Sequence, residues 1–240
     1  ITPASSNMDT SKQLINRDWR FERKFIVSCK TLAEVESAVR IHPSWFKEIY
    51  HPRQINNIYF DTFNHDSFFD NVDGASSRYK VRLRWYGELL SINKPTLEIK
   101  VKRGDLGTKF NYPIPKFKEN LLHTMKKKYW INTLQNKDLS PEVLLQLNAL
   151  EPRLINRYKR KYFLSANKKF RVTLDYNQEF YRPSFRTSSL GMKMEDKYNI
   201  VVELKYGEDD QETANSVSSL FTFRLSKNSK FVNGINRIQQ

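Results

Sequence analysis

The sequence predicts a β-dominated α+β protein, a closed antiparallel β-barrel with peripheral helices, on three observations. Five segments alternate charged and apolar residues with a period of two, the pattern of strands with one polar and one apolar face. Breakers are few: 7 Gly and 9 Pro in 240 residues, with no internal repeat or low-complexity linker, which argues for one domain. Hydrophobic residues make up 39% and include 16 Phe and 12 Tyr, enough for a substantial core.

The elements follow in chain order. The start is polar, with Pro and Ser, so residues 1–15 are expected to be a disordered leader before a domain at 16–240. Residues 20–28 alternate and read as a strand. Thr31 and Glu34 form a capping box, and Leu32, Val35 and Val39 give the stripe of a helix behind it. Residues 54–62 and 77–86 are strands. Residues 97–103 and 108–114 form a hairpin joined around Gly104 and Gly107. Residues 118–130 are expected to be a basic amphipathic helix, and 140–150 a helix with Ser140 as N-cap and Pro141 in its first position. Residues 153–164, 170–180 and 199–206 are strands, and 211–225 a final helix.

The charged faces carry the argument. In Val81-Arg82-Leu83-Arg84-Trp85 the two arginines share a face opposite Val, Leu and Trp. Leu97-Glu98-Ile99-Lys100-Val101-Lys102 does the same with three charges, and Glu203 and Lys205 stand opposite Val202 and Leu204. Glu22 and Lys24 oppose Phe21 and Phe25, and Arg171 opposes Val172 and Leu174. Solvent faces of ordinary sheets mix in Ser, Thr, Asn and Gln; these are almost wholly Arg, Lys and Glu. A barrel would converge them on its lumen while the aliphatic faces pack outward against helices.

Buried like charges repel and cost several kcal/mol each unless compensated. A polyanion supplies that compensation, and the overall balance agrees: 41 Lys and Arg against 26 Asp and Glu give +15. The glutamates can hold Mn²⁺ or Mg²⁺, whose other positions phosphate oxygens and water would fill. The single Cys29 excludes an internal disulfide and a cysteine metal cluster. No window is apolar enough to span a bilayer, and no signal-peptide core is visible. Basic residues alternate along strands rather than clustering with exposed aromatics, which argues against nucleic acid. His42, His51, His65 and His123 are scattered and expected to be structural or exposed. Gly104-Asp105-Leu106-Gly107-Thr108-Lys109 lacks Walker A spacing and reads as a hairpin turn. Lys126-Lys127-Lys128 reads as a solvated face.

Eight segments in order resemble the triphosphate tunnel metalloenzymes, specifically the VTC (vacuolar transporter chaperone) polyphosphate polymerase domain. They are Phe21-Glu22-Arg23-Lys24-Phe25, Ile58-Tyr59-Phe60-Asp61-Thr62, Val81-Arg82-Leu83-Arg84-Trp85-Tyr86-Gly87 and Leu97-Glu98-Ile99-Lys100. Tyr158-Lys159-Arg160, Arg171-Val172-Thr173-Leu174-Asp175, Val202-Glu203-Leu204-Lys205 and Ser229-Lys230-Phe231 before Gly234 complete the set.

The resemblance implies a triphosphate tunnel and transfer of the ATP γ-phosphoryl group to a growing polyphosphate chain, with Mn²⁺ or Mg²⁺. It implies catalytic roles for Arg82, Arg84, Lys100, Arg160, Arg171 and Lys230, and phosphate binding by Lys24, Lys109, Lys205 and Lys227. Glu203 would hold the metal, with Glu22 and Glu98 as helpers. Nine of these basic residues (all but Lys227) against three glutamates leave +6 in the expected lumen. Two departures stand out: Ser226-Lys227 duplicates the Ser-Lys pair before Lys230, and Arg20 replaces the first Glu of the superfamily's Glu-x-Glu-x-Lys. No phosphate-sensing or membrane-spanning segment accompanies the motifs, so the expectation is a stand-alone, cytoplasmic member, with partner proteins as a route to the membrane. The competing readings are a tunnel triphosphatase and a catalytically silent polyphosphate-binding module.

Overall fold

The fold is described from a computed structural model covering residues 19–124, 129, 141–184 and 189–239. Eleven strands are described: β1 Arg20–Val27, β2 Lys47–Asp61, β3 Ser77–Tyr86, β4 Ser91–Asn93, β5 Thr96–Arg103, β6 Leu106–Pro113, β7 Lys118–Asn120, β8 Glu151–Leu164, β9 Arg171–Ser184, β10 Ser189–Asp196 and β11 Ile200–Gly207. The helices are α1 Leu32–Arg40, α2 Asp66–Val72, α3 Pro141–Asn148, α4 Gln211–Ser219 and α5 Lys230–Gln239.

The large sheet runs β10-β9-β11-β1-β6-β5-β3-β2-β8, and β8 pairs again with β9. That last pairing closes eight antiparallel strands into a ring, with β10 appended to the far half of β9. The closure is uneven. Among the described residues, β1 and β6 are in register only at Arg20 and Gly107.

Period-two alternation decides which face each strand turns outward. Phe25, Val172, Leu174, Val202 and Leu204 pack outside the barrel with Val35 and Val39 of α1 and Ala214 and Val217 of α4. Val81, Leu83, Trp85, Leu97 and Ile99 form a second outer core with Leu147 of α3. Helix α1 begins as its sequence requires: the Thr31 side chain accepts from the Glu34 backbone, and Glu34 reaches back to the Thr31 N–H. Gly104, at φ +59°, turns the β5–β6 hairpin in the left-handed region that glycine adopts without strain.

Helix α5 lies on β8 and β9 through Gly234. A Cβ there would stand 2.4 Å from Leu154 Cδ2 and 2.7 Å from Phe180 Cδ1, both core atoms. Gly234→Val is therefore expected to destabilise the fold by about 1–3 kcal/mol, lowering the melting temperature by roughly 3–10 °C. An unchanged thermal transition would show that α5 does not pack this closely.

The structure corrects several expected elements. β2 starts at Lys47, seven residues before the expected strand, and β9 runs on to Ser184. Within the span 118–130 expected to be a helix, residues 118–124 are instead β7 followed by a 3-10 turn, Leu121–Thr124, with Leu121 and Thr124 buried, while Tyr129 is helical. Residues 125–128 and 130, with Lys126-Lys127-Lys128, lie outside the described residues, as do Ser140 and the leader 1–15. The final helix ends at Ser219 rather than 225, and Phe221 and Phe223 then pack into the core from irregular chain. Strands β4 and β10 and helices α2 and α5 were not anticipated.

Candidate tunnel site

A cavity of about 940 Å³ fills the ring, lined by twelve Lys and Arg side chains and two glutamates, Glu22 and Glu203. Arg82, Arg84, Lys100, Arg171, Glu203 and Lys205 all face it, as strand parity requires, and so do Lys24, Lys109, Arg160 and Lys230. Arg20, which stands where the superfamily motif has Glu, lines it too.

Cross-strand register groups these charges. Between β1 and β11, Glu22 lies opposite Lys205 and Lys24 opposite Glu203. Between β8 and β9, Arg160 lies opposite Asp175. Glu203 accepts from Lys205 at 2.8 Å, Arg160 at 3.0 Å and Lys230 at 3.2 Å, with Lys24 at 3.6 Å. Asp175, fully buried behind it, binds both Arg160 and Lys230. Helix α5 delivers Lys230 from its first position, so the one lysine on an otherwise peripheral helix is 7% exposed inside the lumen.

A second group surrounds Glu98. Arg82 reaches it at 2.6 Å, Lys109 at 2.9 Å and Arg84 at 3.5 Å. Tyrosine and asparagine groups fix the arginines from behind. Arg82 donates to the Tyr59 hydroxyl at 3.1 Å, and Arg84 to Asn57 at 3.1 Å, itself bonded to Asn156 at 3.2 Å. Two guanidinium planes are thus held in place on the lumen wall.

Burial alone would raise the carboxyl groups. The lysines and arginines beside them outweigh it, so Glu22, Glu98, Asp175 and Glu203 all lie below the usual carboxylate range. A depressed folded-state value contributes stability above the unfolded value that is lost as pH falls through the folded one. The melting temperature is expected to drop on acidification between about pH 5 and pH 2. A flat profile over that window would mean the lumen carboxylates are not charged in the fold.

The structure adds two lumen residues to which the sequence assigned no role. Lys80 and Lys102 also line the lumen, two residues from Arg82 and Lys100 on the same faces. Strand parity already pointed to both. Lys80 donates to the Ser229 hydroxyl at 2.9 Å, and among the described residues neither it nor Lys102 has a carboxylate partner. Burial, with Lys24 and Lys100 nearby, pushes Lys80 well below the ordinary lysine value. Asp175, Tyr59 and Asn57 had no comparable signal, because their roles depend on which strands become neighbours.

Two site expectations are corrected. Lys227 is exposed and does not line the cavity; Lys230 takes the tunnel position, because α5 begins at that residue. Nor do the three glutamates converge. Among the described residues no group of three His, Cys, Asp or Glu side chains could hold a metal ion. Glu22 and Glu203 share one stretch of lumen with Lys24 3.9 Å and 3.6 Å away, while Glu98 is enclosed by its own three cations. None of the four histidines lines the cavity. His42 is buried and meets the Val217 carbonyl.

A closed antiparallel ring with a lumen of Lys, Arg and Glu defines the triphosphate tunnel fold. The match to the family model described as VTC domain spans residues 19–239, and the chain belongs to that family. Solved structures agree in fold. The Hippeastrum protein HpAC1, assigned as an adenylyl cyclase and described as having a dominant triphosphatase activity, is 12% identical, with a TM-score of 0.54 over 92% of this chain and 95% of its own. A Bacillus halodurans protein assigned as an adenylate cyclase is 14% identical, with a TM-score of 0.52 over 91% and 98%. PH1819 from Pyrococcus horikoshii is 11% identical, with a TM-score of 0.50 over 91% and 97%. A search of curated proteins found no match. Among the described residues no helix is long and apolar enough to cross a membrane.

Proposed function

We propose that this domain is a polyphosphate polymerase that transfers the ATP γ-phosphoryl group to a polyphosphate chain held in the tunnel. The observation that carries the reading is the lumen itself, where twelve lining Lys and Arg side chains meet four carboxylates, Glu22 and Glu203 on the wall and Glu98 and Asp175 behind it, an excess of eight basic groups. Such a charge balance is costly when empty and favourable around a polyanion. Membership of the VTC domain family supports the same substrate class.

Arg82 and Arg84 would clamp phosphates through planar donor forks, with Arg171 at the strand end beyond. Lys24, Lys100, Lys109, Lys205 and Lys230 would supply further positive charge along the wall. The terminal phosphate of the chain can itself attack, so no protein nucleophile is required; positioning and charge stabilisation are the protein's task. The carboxylates fit a divalent ion that arrives chelated by phosphate, not one held by the protein alone. Glu203 would hold it with Glu22 beside it, because the lysines now on both carboxylates have phosphate oxygens to turn to. Mn²⁺ or Mg²⁺ would there neutralise charge on the phosphate oxygens.

Incubation with ATP and Mn²⁺, followed by gel analysis, tests the reading. Long phosphate chains support it; orthophosphate alone indicates a triphosphatase; binding without turnover indicates a silent module. A further expected result concerns Lys80. Bound polyanion favours its charged form, so tripolyphosphate binding is expected to be accompanied by proton uptake at alkaline pH. Calorimetry in buffers of different ionisation heat measures the uptake, which Lys80→Met should remove. Uptake of equal size in that variant would assign the proton elsewhere.

A further inference from the structure

The strand faces that carry the tunnel arginines change character at one mouth. On β3 the face runs Arg82, Arg84, Tyr86, and on β8 it runs Tyr158, Arg160, Tyr162. Tyr86 and Tyr162 both line the cavity, about 6.6 Å along their strands from Arg84 and Arg160. Arg53 of β2, in register with Arg160, holds them together. Its guanidinium carbon lies 4.6 Å from the Tyr50 ring, 5.5 Å from Tyr162 and 5.8 Å from Tyr86. Tyr50 meets Tyr162 edge-on at 5.7 Å.

Tyr86 is 50% exposed and Tyr50 51%, so rings remain open to solvent around a fixed cation. Inorganic phosphate offers nothing to an aromatic face, whereas a nucleobase stacks on tyrosine and on arginine. We infer that Tyr86 and Tyr162, braced by Arg53, form a base-stacking subsite at this mouth that selects a nucleoside triphosphate over inorganic triphosphate. This deepens the proposed function and rests on it, since the base can reach these rings only if its phosphates lie among the arginines. The described parts of the subsite are π-faces and a cation, which hold a base by stacking. It therefore binds nucleotides as a class, whatever their base.

The test compares ATP with tripolyphosphate by calorimetry on the intact protein and on Tyr86→Leu, Tyr162→Leu and the double variant. ATP affinity is expected to fall by about 5- to 50-fold in the double variant, the loss that removing one or two stacks gives. Tripolyphosphate affinity should stay within about twofold, which also certifies that the variant folds. Tyr86→Phe and Tyr162→Phe keep the rings and should bind ATP as the unmodified protein does. Equal loss for both ligands would make the rings merely structural, and unchanged ATP affinity would leave them without a role; either result overturns the subsite. If the unmodified protein binds tripolyphosphate but the rings do not matter, only this inference falls. If it binds neither ligand, the tunnel reading falls and takes the subsite with it.

Discussion

Asp175→Asn is expected to lower the melting temperature by roughly 6–20 °C, with a cost of about 3–5 kcal/mol. Asp175 has no exposed surface, and its two oxygens hold Arg160 and Lys230. The amide keeps the shape and removes the charge, leaving two buried cations to share Glu203 with Lys205 and Lys24. Saturating tripolyphosphate should recover much of the loss, because phosphate replaces the missing negative charge. Thermal melts with and without tripolyphosphate decide the matter. A fall of less than about 2 °C without ligand would show that Asp175 does not sustain the cluster. Failure of tripolyphosphate to raise the melting temperature of the unmodified protein would count against the tunnel as a polyanion site.

Glu203→Gln should separate chemistry from binding. Four cations lie within 3.6 Å of the Glu203 carboxylate. Once it is neutral they have fewer counter-charges, so the ligand-free protein loses stability while its attraction for a polyanion rises. Polyphosphate affinity is expected to hold or to tighten by a few-fold. Phosphoryl transfer should fall by at least about 10³-fold, because an amide is a poor ligand for Mn²⁺ or Mg²⁺. Arg82→Ala should do the reverse and weaken binding first. Paired affinity and turnover measurements on the two variants give the answer. Full polymerase activity in Glu203→Gln would exclude Glu203 as the metal anchor.

The two variants differ in how legible their targets were. Glu203 stands out because Val202 and Leu204 flank it and Lys205 repeats its parity, and side-chain direction along a strand is a local property. The same rule assigned Arg82, Arg84, Lys100, Arg171 and Lys205 to one face, and it extends to Lys80 and Lys102. Asp175 shares that parity but offered no reason to separate it from an ordinary polar residue. Its importance arises when β8 closes on β9 and sets Arg160 opposite it.

By itself, then, the sequence determined the alternation of faces, the hairpin at Gly104, the capped helix α1, the excess of positive charge and the motifs that place the chain in its family. Those are consequences of neighbours along the chain, where strand period, turn geometry and caps act over a few residues. Tertiary structure decided which lysine of the duplicated Ser-Lys pairs enters the lumen, since that depends on where α5 docks through Gly234 against Leu154 and Phe180. It decided that Glu22 and Glu203 share lysines while Glu98 belongs to Arg82, Arg84 and Lys109, because charge pairing follows strand register across the ring. It also gathered Tyr50, Arg53, Tyr86 and Tyr162, from three strands, at one mouth, through contacts between residues as many as 112 positions apart, Tyr50 and Tyr162. Electrostatic and stacking energies depend on distance in space, and only the closed barrel sets those distances.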